Sequence, residues 1–273
     1  MSEPTSPALE YHQPTDAHSS RADQIVIVTR VGSWLGAETV LNLVSHGITV
    51  IGVGEQMERI GRLQETIDEH KRHALFVPVV GALSDPQVHA SVIQHIETSR
   101  KSLAALVVNI GAYEGVLHIG RPSIPPFEQW MELQRSLVEA LPLFHSIRHV
   151  LRTHRCRVIH VASIDEIHNH LPRHVSLIAI KTAVNMMTAE VAVIEPRLTS
   201  LAVHPSFSAL EMALEPRPAD RQRGGGVDPV AAAHCSMAPG HLKPASDLIV
   251  DLAINADRAM SGKFFMYSES SFP

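Results

Sequence analysis

Short runs of apolar residues alternate with longer amphipathic stretches along most of the chain. From residue 24 onward the apolar runs read QIVIVTR, ITVIGVG, ALFVPVV, LAALVVNIG, RVIHVAS and LTSLAVHPS. Continuous Val, Ile and Leu runs are typical of strands buried on both faces, and strands that alternate with helices indicate a parallel sheet. The pattern predicts a single-domain α/β fold, a doubly wound parallel sheet with helices on both faces.

The remaining stretches divide into helices and aperiodic segments. Amphipathic periodicity predicts helices at residues 37–45, 57–73, 85–99, 127–153, 176–194 and 244–256. Residues 1–23 are rich in Ser, Pro, Thr and His without periodicity, which predicts a disordered N-terminal tail before a domain over residues 24–273. Residues 206–242 also lack periodicity, and we expect them to form a loop or lid over the pocket.

The composition argues against several classes of protein. The 273 residues carry a formal net charge of −5, so the chain lacks the basic surface that nucleic-acid binding requires. Its two cysteines, Cys156 and Cys235, are too few for a disulfide framework. No apolar run reaches the roughly 18 residues of a membrane span, and the N-terminus lacks the blocks of a signal peptide. We therefore expect a cytoplasmic protein that binds neither nucleic acid nor membrane.

The stretch IVIVTRVGSWLGAETV, residues 25–40, has the outline of a strand, a turn and a helix at a dinucleotide site. It resembles the first turn of the short-chain dehydrogenase/reductase (SDR) family, which reads T-G-x-x-x-G-x-G. Thr29 and Gly36 keep the family's residues, whereas Arg30 and Trp34 replace glycines. Trp34 would fill the space through which the backbone approaches a pyrophosphate, while Arg30 supplies a charge that suits a phosphate.

A second register of this turn is open. It places Gly32 and Gly36 at the first two glycines of the family pattern and Glu38 at the third. We prefer the first register because Thr29 then falls at the end of the strand and the helix begins near Gly36.

Further motifs follow in the order in which the SDR family has them, over roughly residues 24–270. LVVNIGAYEG keeps Asn109 of the N-N-A-G strand end, and VIHVASIDE places Ser163 at the catalytic serine. LIAIKTAVN keeps Lys181 of Y-x-x-x-K but has Leu177 in place of the tyrosine. VHPSFSALEM and SGKFFMYSES resemble two later landmarks. The resemblance implies a Rossmann-like fold and a site built for a nicotinamide cofactor.

The replaced tyrosine changes the chemistry that the resemblance implies. The family uses a phenol, tuned by the adjacent lysine, to exchange a proton with the substrate oxygen during hydride transfer. Leu177 has no acidic proton to donate, and Leu137 stands where the family's catalytic asparagine would be. Tyr113, just after the fourth predicted strand, is the one conceivable substitute. Two of the four catalytic positions, Ser163 and Lys181, remain.

The cofactor site is similarly altered. Glu55, just past the second predicted strand, suits ribose hydroxyls and repels a 2′-phosphate, although it also fits a solvated loop carboxylate. We expect no bound cofactor, and NAD rather than NADP if either binds. The residues of this vestigial site are Thr29, Arg30, Gly32, Gly36, Glu55 and Asn109.

Histidines are concentrated around the predicted catalytic serine. The segment RVIHVASIDEIHNHLPRHVS contains His160, His168, His170 and His174. An imidazole serves as a general acid or base near neutral pH without a cofactor, although the same composition suits an exposed polar loop. We rank His170 and His174 first and His160 last. No recognisable ligand set predicts a metal site, and Ser163 lacks the G-x-S-x-G elbow of a serine nucleophile.

Three kinds of function fit this pattern. The first is a cofactor-independent enzyme, of cyclase, isomerase or dehydratase type, acting on a small apolar metabolite. The second is a non-catalytic subunit that binds a ligand or a related active dehydrogenase, and the third is an unusual NAD(P)-dependent oxidoreductase. We expect a homodimer or homotetramer, or a heteromer with a related SDR chain, because the helices predicted at 127–153 and 176–194 are apolar on more than one face.

Overall fold

Seven parallel strands form one sheet in the computed structural model, which describes residues 21–109, 131, 135, 138–161, 175–204 and 243–266. The strands follow one another along the sheet in the order β3-β2-β1-β4-β5-β6-β7. This arrangement confirms the predicted doubly wound parallel sheet. Their bounds are β1 Gln24–Thr29, β2 Thr49–Gly54, β3 Phe76–Val80, β4 Ser102–Asn109, β5 Arg157–Val161, β6 Thr199–His204 and β7 Phe264–Met266.

Helices cover both faces of the sheet. Their bounds are α1 Trp34–Ser45, α2 Met57–Glu69, α3 Pro86–Ser99, α4 Ala140–His154, α5 Val175–Ile194 and α6 Lys243–Asn255. Helix α1 begins three residues before its predicted start because Ser33 caps it, its Oγ accepting from the Gly36 N–H at 3.1 Å. Helix α2 ends at Glu69 rather than at residue 73, since Lys71 adopts a left-handed φ of 55° and leaves the helix.

The side chains of the sheet divide into two buried layers. On β1, Val26 and Val28 pack toward one face with α1, α2 and α6, whereas Ile25 and Ile27 pack toward the other with α3, α4 and α5. All four are fully buried, and burial stabilises each such side chain by about 1.5–3 kcal/mol. Alternate residues of a strand point to opposite faces, so a continuous apolar run serves both layers.

The two edges of the sheet differ from the central strands. Strand β7 has only three residues, too few for a periodic signal, and the sequence did not predict it. Strand β3 forms the opposite edge, with Pro78 in register with Gly52 of β2. Within the described ranges, no helix combines the length and the apolar character that crossing a bilayer requires.

Two predicted segments fall outside the described residues: residues 1–20 of the tail and the loop or lid at 206–242. The last three residues of the predicted tail, Arg21–Asp23, form a short 3-10 turn that leads directly into β1.

Candidate functional site

A small cleft opens at the carboxyl ends of β1, β2 and β3. Strand order reverses between β1 and β4, and ligands in open α/β sheets bind beside such a reversal. The cleft has a volume of about 80 Å³. Its lining residues follow the three strand ends: Arg30, Gly32, Ser33, Gly54, Glu55, Gln56, Gly81 and Leu83.

The turn after β1 has the backbone of a glycine-rich turn even where the glycines are replaced. Arg30 adopts a φ of 52°, in the left-handed region that favours glycine. At Gly36, an added Cβ would lie 2.4 Å from the carbonyl oxygen of Arg30, so only glycine fits without a shift. At Gly32 an added Cβ would make only ordinary contacts, the nearest at 3.5 Å. These conformations favour the first register, in which Arg30 and Gly36 stand at glycine positions.

A buried hydrogen-bond network joins this turn to the end of β4. The Thr29 Oγ1 accepts from the backbone N–H of Asn109 at 2.9 Å. The side-chain amide of Asn109 donates to the Oγ of Ser33 at 2.7 Å, and the same oxygen accepts from the Gly36 N–H. Thr29 and Asn109 are buried. The network fixes the start of α1 against the neighbouring strand and brings four residues together, three of them predicted for the site.

Two arginines hold the turn from opposite sides. A guanidinium nitrogen of Arg30 lies 3.1 Å from a carboxylate oxygen of Glu139, the residue before α4. Arg59 of α2 donates to the carbonyl of Gly32 at 3.1 Å. Since Arg30 also lines the cleft, its charge lies next to any ligand there, although Glu139 balances that charge.

Glu55 and Trp34 differ in their relation to the cleft. Glu55 follows β2, is exposed and lines the cleft, as expected for a group that accepts hydrogen bonds from a ligand. Trp34 is the first residue of α1, is half-buried and is not among the residues that line the cleft. The indole therefore does not form part of the wall of the described cleft.

The predicted catalytic residues lie mostly outside the described residues. Ser163, His170, His174 and Tyr113 belong to this group, and their roles stay predictions. Leu177 and Lys181 lie in α5, four residues apart, which puts both on one face of the helix.

His160 lies inside the protein rather than in a cleft. The ring is 3% exposed, and its Nδ1 lies 3.0 Å from the Oγ1 of Thr188 in α5. Burial lowers the pKa of His160 from 6.5 to about 4, against a smaller opposing effect of a hydrogen bond to the backbone of Leu201. The neutral ring therefore ties β5 to α5. No group of three His, Cys, Asp or Glu side chains suited to a metal ion occurs among the described residues.

Sequence reasoning missed Ser33, Arg59, His89 and Glu139. Ser33 carried a detectable signal, because serine just before a helical pattern is a preferred N-cap. Arg59, His89 and Glu139 carried none, since each has a hydrogen-bond partner that is distant in the chain: Gly32, Ser146 and Arg30 respectively. Contacts of this kind depend on how the helices pack.

Comparison with known proteins agrees with the fold and the turn. The sequence profile described as short chain dehydrogenase matches residues 24–213, well over half of the chain. The chain belongs to the short-chain dehydrogenase/reductase family. A comparison with curated protein sequences finds no significant match.

Solved structures share the fold at low sequence identity. A short-chain oxidoreductase from Pseudomonas aeruginosa PAO1, described as containing an atypical catalytic center, is 18% identical in its apo form, with a TM-score of 0.68 over 91% of this chain and 97% of that chain. Its NADPH-bound structure gives 16% identity and a TM-score of 0.67 over 90% and 96%. NAD+-bound xylitol dehydrogenase gives 14% identity and a TM-score of 0.66 over 91% and 98%. At these identities the likeness extends to the fold alone.

Proposed function

We propose that this SDR-fold chain is an enzyme that works by acid/base catalysis without hydride transfer. Its substrate would be a small apolar metabolite, and its reaction a cyclisation, isomerisation or dehydration. The observation that carries the proposal is Leu177, which lies in α5 one turn before Lys181. Hydride transfer to a carbonyl needs a proton donor at this position, and a leucine side chain cannot supply one.

The proton-transfer groups of this proposal come from the segment before α5 and from its first turns. His170 and His174 are the proposed acid and base, with Ser163 and Lys181 as hydrogen-bond donors to the substrate oxygen. Tyr113 is the alternative proton donor. Imidazole suits this task because its ordinary pKa near 6.5 allows both protonation states near neutral pH.

A second candidate is an NAD-dependent oxidoreductase with an unusual catalytic centre. The specific observation that favours it is the turn after β1, which keeps the left-handed φ at Arg30 and the close approach at Gly36. If a dinucleotide binds, Glu55 at the cleft favours ribose hydroxyls over a 2′-phosphate, and hence NAD over NADP. The NADPH-bound P. aeruginosa structure supports the wider idea that a dinucleotide can accompany an atypical catalytic center on this scaffold.

Calorimetric titration with NAD+, NADH, NADP+ and NADPH separates the two candidates. The first predicts no dissociation constant below about 0.1 mM, or roughly 5.5 kcal/mol of binding free energy. A micromolar dissociation constant for NAD+ would overturn the expectation that no cofactor binds. It would favour the second candidate, the NAD-dependent oxidoreductase. Under the first candidate, the double variant Arg30→Gly, Trp34→Gly should bind more tightly than the wild type, because it restores the family's glycines.

Catalysis without nicotinamide is tested by deuterium exchange in D₂O. Small apolar ketones and enones are incubated with the protein, and proton NMR follows exchange at the carbon next to the carbonyl. His170→Ala, His174→Ala and Lys181→Ala should each slow the exchange, by about 100-fold for an essential group. The matched control is His145→Ala, an exposed histidine of α4. Catalysed exchange at the wild-type rate in all three variants would refute the residue assignment, and ketone reduction restored by Leu177→Tyr alone would favour the oxidoreductase.

The proposal includes self-association of the chain through the outer faces of α4 and α5. Val138, two residues before α4, and Leu141 in its first turn are 54% and 41% exposed, and Met186 and Val193 of α5 are 60% and 76% exposed. Apolar side chains on the outer faces of these two helices support pairing with a second copy, as a homodimer or homotetramer, or with a related SDR chain. A cytoplasmic location likewise stays a prediction from the sequence.

A further inference from the structure

Helix α4 is linked to two walls of the cleft, to one at its start through Glu139 and to the other indirectly through His89 of α3. One wall is the turn after β1, where Arg30 pairs with Glu139 at the start of α4. The other wall is the segment after β3, where Leu83 lines the cleft. His89 of α3 connects that second wall to Ser146 of α4.

The geometry of His89 fixes which atoms donate. Its Nε2 lies 2.7 Å from the carbonyl oxygen of Leu83, and a carbonyl only accepts, so Nε2 carries the proton. When the ring is neutral, Nδ1 is then an acceptor, and it receives the hydroxyl proton of Ser146 at 2.9 Å. His89 is 6% exposed and Leu83 is 3% exposed, so little water competes for these bonds.

Two backbone hydrogen bonds also hold the wall around Leu83, whose side chain packs in the same buried layer as Val53 and Val79. The Gly81 N–H donates to the carbonyl of Gly54 at 2.9 Å, and Gly81 has a φ of 151°, at the margin of the left-handed region. The Asp85 N–H donates back to the carbonyl of Ala82 at 3.0 Å, which closes a local turn. The Leu83 carbonyl is bonded to His89 of α3, and the other ring nitrogen of His89 carries the connection on to Ser146 of α4.

We propose that His89 is a positioning residue that holds the Leu83 wall of the cleft against α4, so that α4 sets the width of the cleft through both walls. A packing role alone would make His89 a contributor to global stability. A positioning role predicts, in addition, that removing the imidazole speeds amide hydrogen exchange locally at residues 81–85. The ligand role of the cleft rests on the second candidate function, in which a dinucleotide binds there, but the position of the wall is measurable without any ligand.

Hydrogen exchange followed by mass spectrometry tests the wall directly. His89→Ala should speed the exchange of amides 81–85 by about tenfold, because the buried Leu83 carbonyl loses its donor and the turn opens more often. His89→Gln should restore much of the protection, since its amide nitrogen reaches the place of Nε2. Ser146→Ala should have a smaller effect of the same kind. Amides 30–33, on the other wall, should change little in these variants and should respond to Glu139→Gln.

Three results would overturn the proposal. The first is unchanged exchange at 81–85 in folded His89→Ala. The second is an increase spread evenly over the chain in proportion to the loss of global stability in urea. The third is no rescue by His89→Gln. If His89→Ala does not fold, Ser146→Ala decides, and unchanged exchange at 81–85 in that variant would overturn the proposal.

Binding of AMP and NAD+ to the same variants tests the ligand role separately. If the wild type binds either probe, His89→Ala should weaken binding about tenfold and His89→Gln should recover it. If the wild type binds neither, an adenine-nucleotide role for the cleft fails, while the exchange data still decide whether His89 holds the wall.

Discussion

Arg30 and Glu139 join the first turn of the sheet to the start of helix α4, with a guanidinium nitrogen 3.1 Å from a carboxylate oxygen. Their side chains are 28% and 16% exposed. Arg30 occupies a left-handed conformation, which costs a non-glycine residue roughly 1–2 kcal/mol. The ion pair therefore offsets a backbone cost that the family's glycine would avoid.

The contribution of the Arg30–Glu139 ion pair to stability can be measured by removing the Glu139 carboxylate. Glu139→Gln should lower the free energy of unfolding by about 1–2 kcal/mol in urea denaturation, because it removes a negative charge 3.1 Å from the partly buried Arg30 guanidinium. The control is Glu58→Gln, which removes the partner of Arg62 in a pair that is 74% and 79% exposed, and which should change stability by less than about 0.5 kcal/mol. Equal losses in the two variants would contradict the role given to Glu139.

Two glycines should respond in opposite directions to alanine. Gly36→Ala places a Cβ 2.4 Å from the Arg30 carbonyl oxygen and 2.9 Å from the Ser33 Oγ, so the turn must shift, at a cost of about 2–3 kcal/mol. Gly61 lies in α2 with nothing within 4 Å of an added Cβ, and Gly61→Ala should stabilise the protein by about 0.5–1 kcal/mol. Thermal and urea unfolding measure the change in the free energy of unfolding in each variant. A neutral Gly36→Ala would show that the turn is not held in the conformation described.

His160 should make stability depend on pH below neutrality. Its pKa is lowered from 6.5 to about 4 by burial, so as the pH falls below 6.5 the unfolded chain binds the proton before the folded protein does. The contribution of the neutral ring is fully present above pH 6.5 and is lost as the pH falls to 4, by up to about 1.4 kcal/mol per pH unit.

The pH dependence is best measured as a difference between slopes. Urea denaturation between pH 6.5 and 4 should give a shallower loss of stability in His160→Gln than in the wild type, whatever the absolute stability of the variant. Parallel slopes would mean that His160 titrates normally in the folded protein.

The outer faces of α4 and α5 should control self-association. Light scattering at micromolar concentration should give the wild type a multiple of the 29.9 kDa chain mass, and Met186→Glu with Val193→Glu should reduce it toward 29.9 kDa, because charges oppose the burial of an apolar face. Met57→Glu is the control, since Met57 is 68% exposed but lies on α2. A wild-type mass near 29.9 kDa would count against association.

The fold was predictable from sequence because β1 to β6 each carry a short apolar run between more polar segments, fully buried in the central strands and partly buried in the edge strand β3. Strand β7 was missed because three residues give no period, and it is placed by pairing with β6. The family pattern pointed to Thr29, Gly36 and Asn109, and hydrogen bonds join these three residues through Ser33 beside the cleft, while their functional role stays a prediction. That pattern did not point to Glu139 or His89, because their importance comes from partners about 109 and 57 residues away, which no local pattern encodes.

The proline at the sheet edge affects how copies of this chain meet. Pro78 lies in β3, and proline has no backbone N–H to offer a strand added from outside. Edge-to-edge growth of the sheet, the usual route from a stable α/β domain to fibrous aggregates, is therefore obstructed at this border. At this edge the sheet offers a poor template for another strand, so the proposed self-association through the faces of α4 and α5 would give a closed assembly with a fixed number of copies.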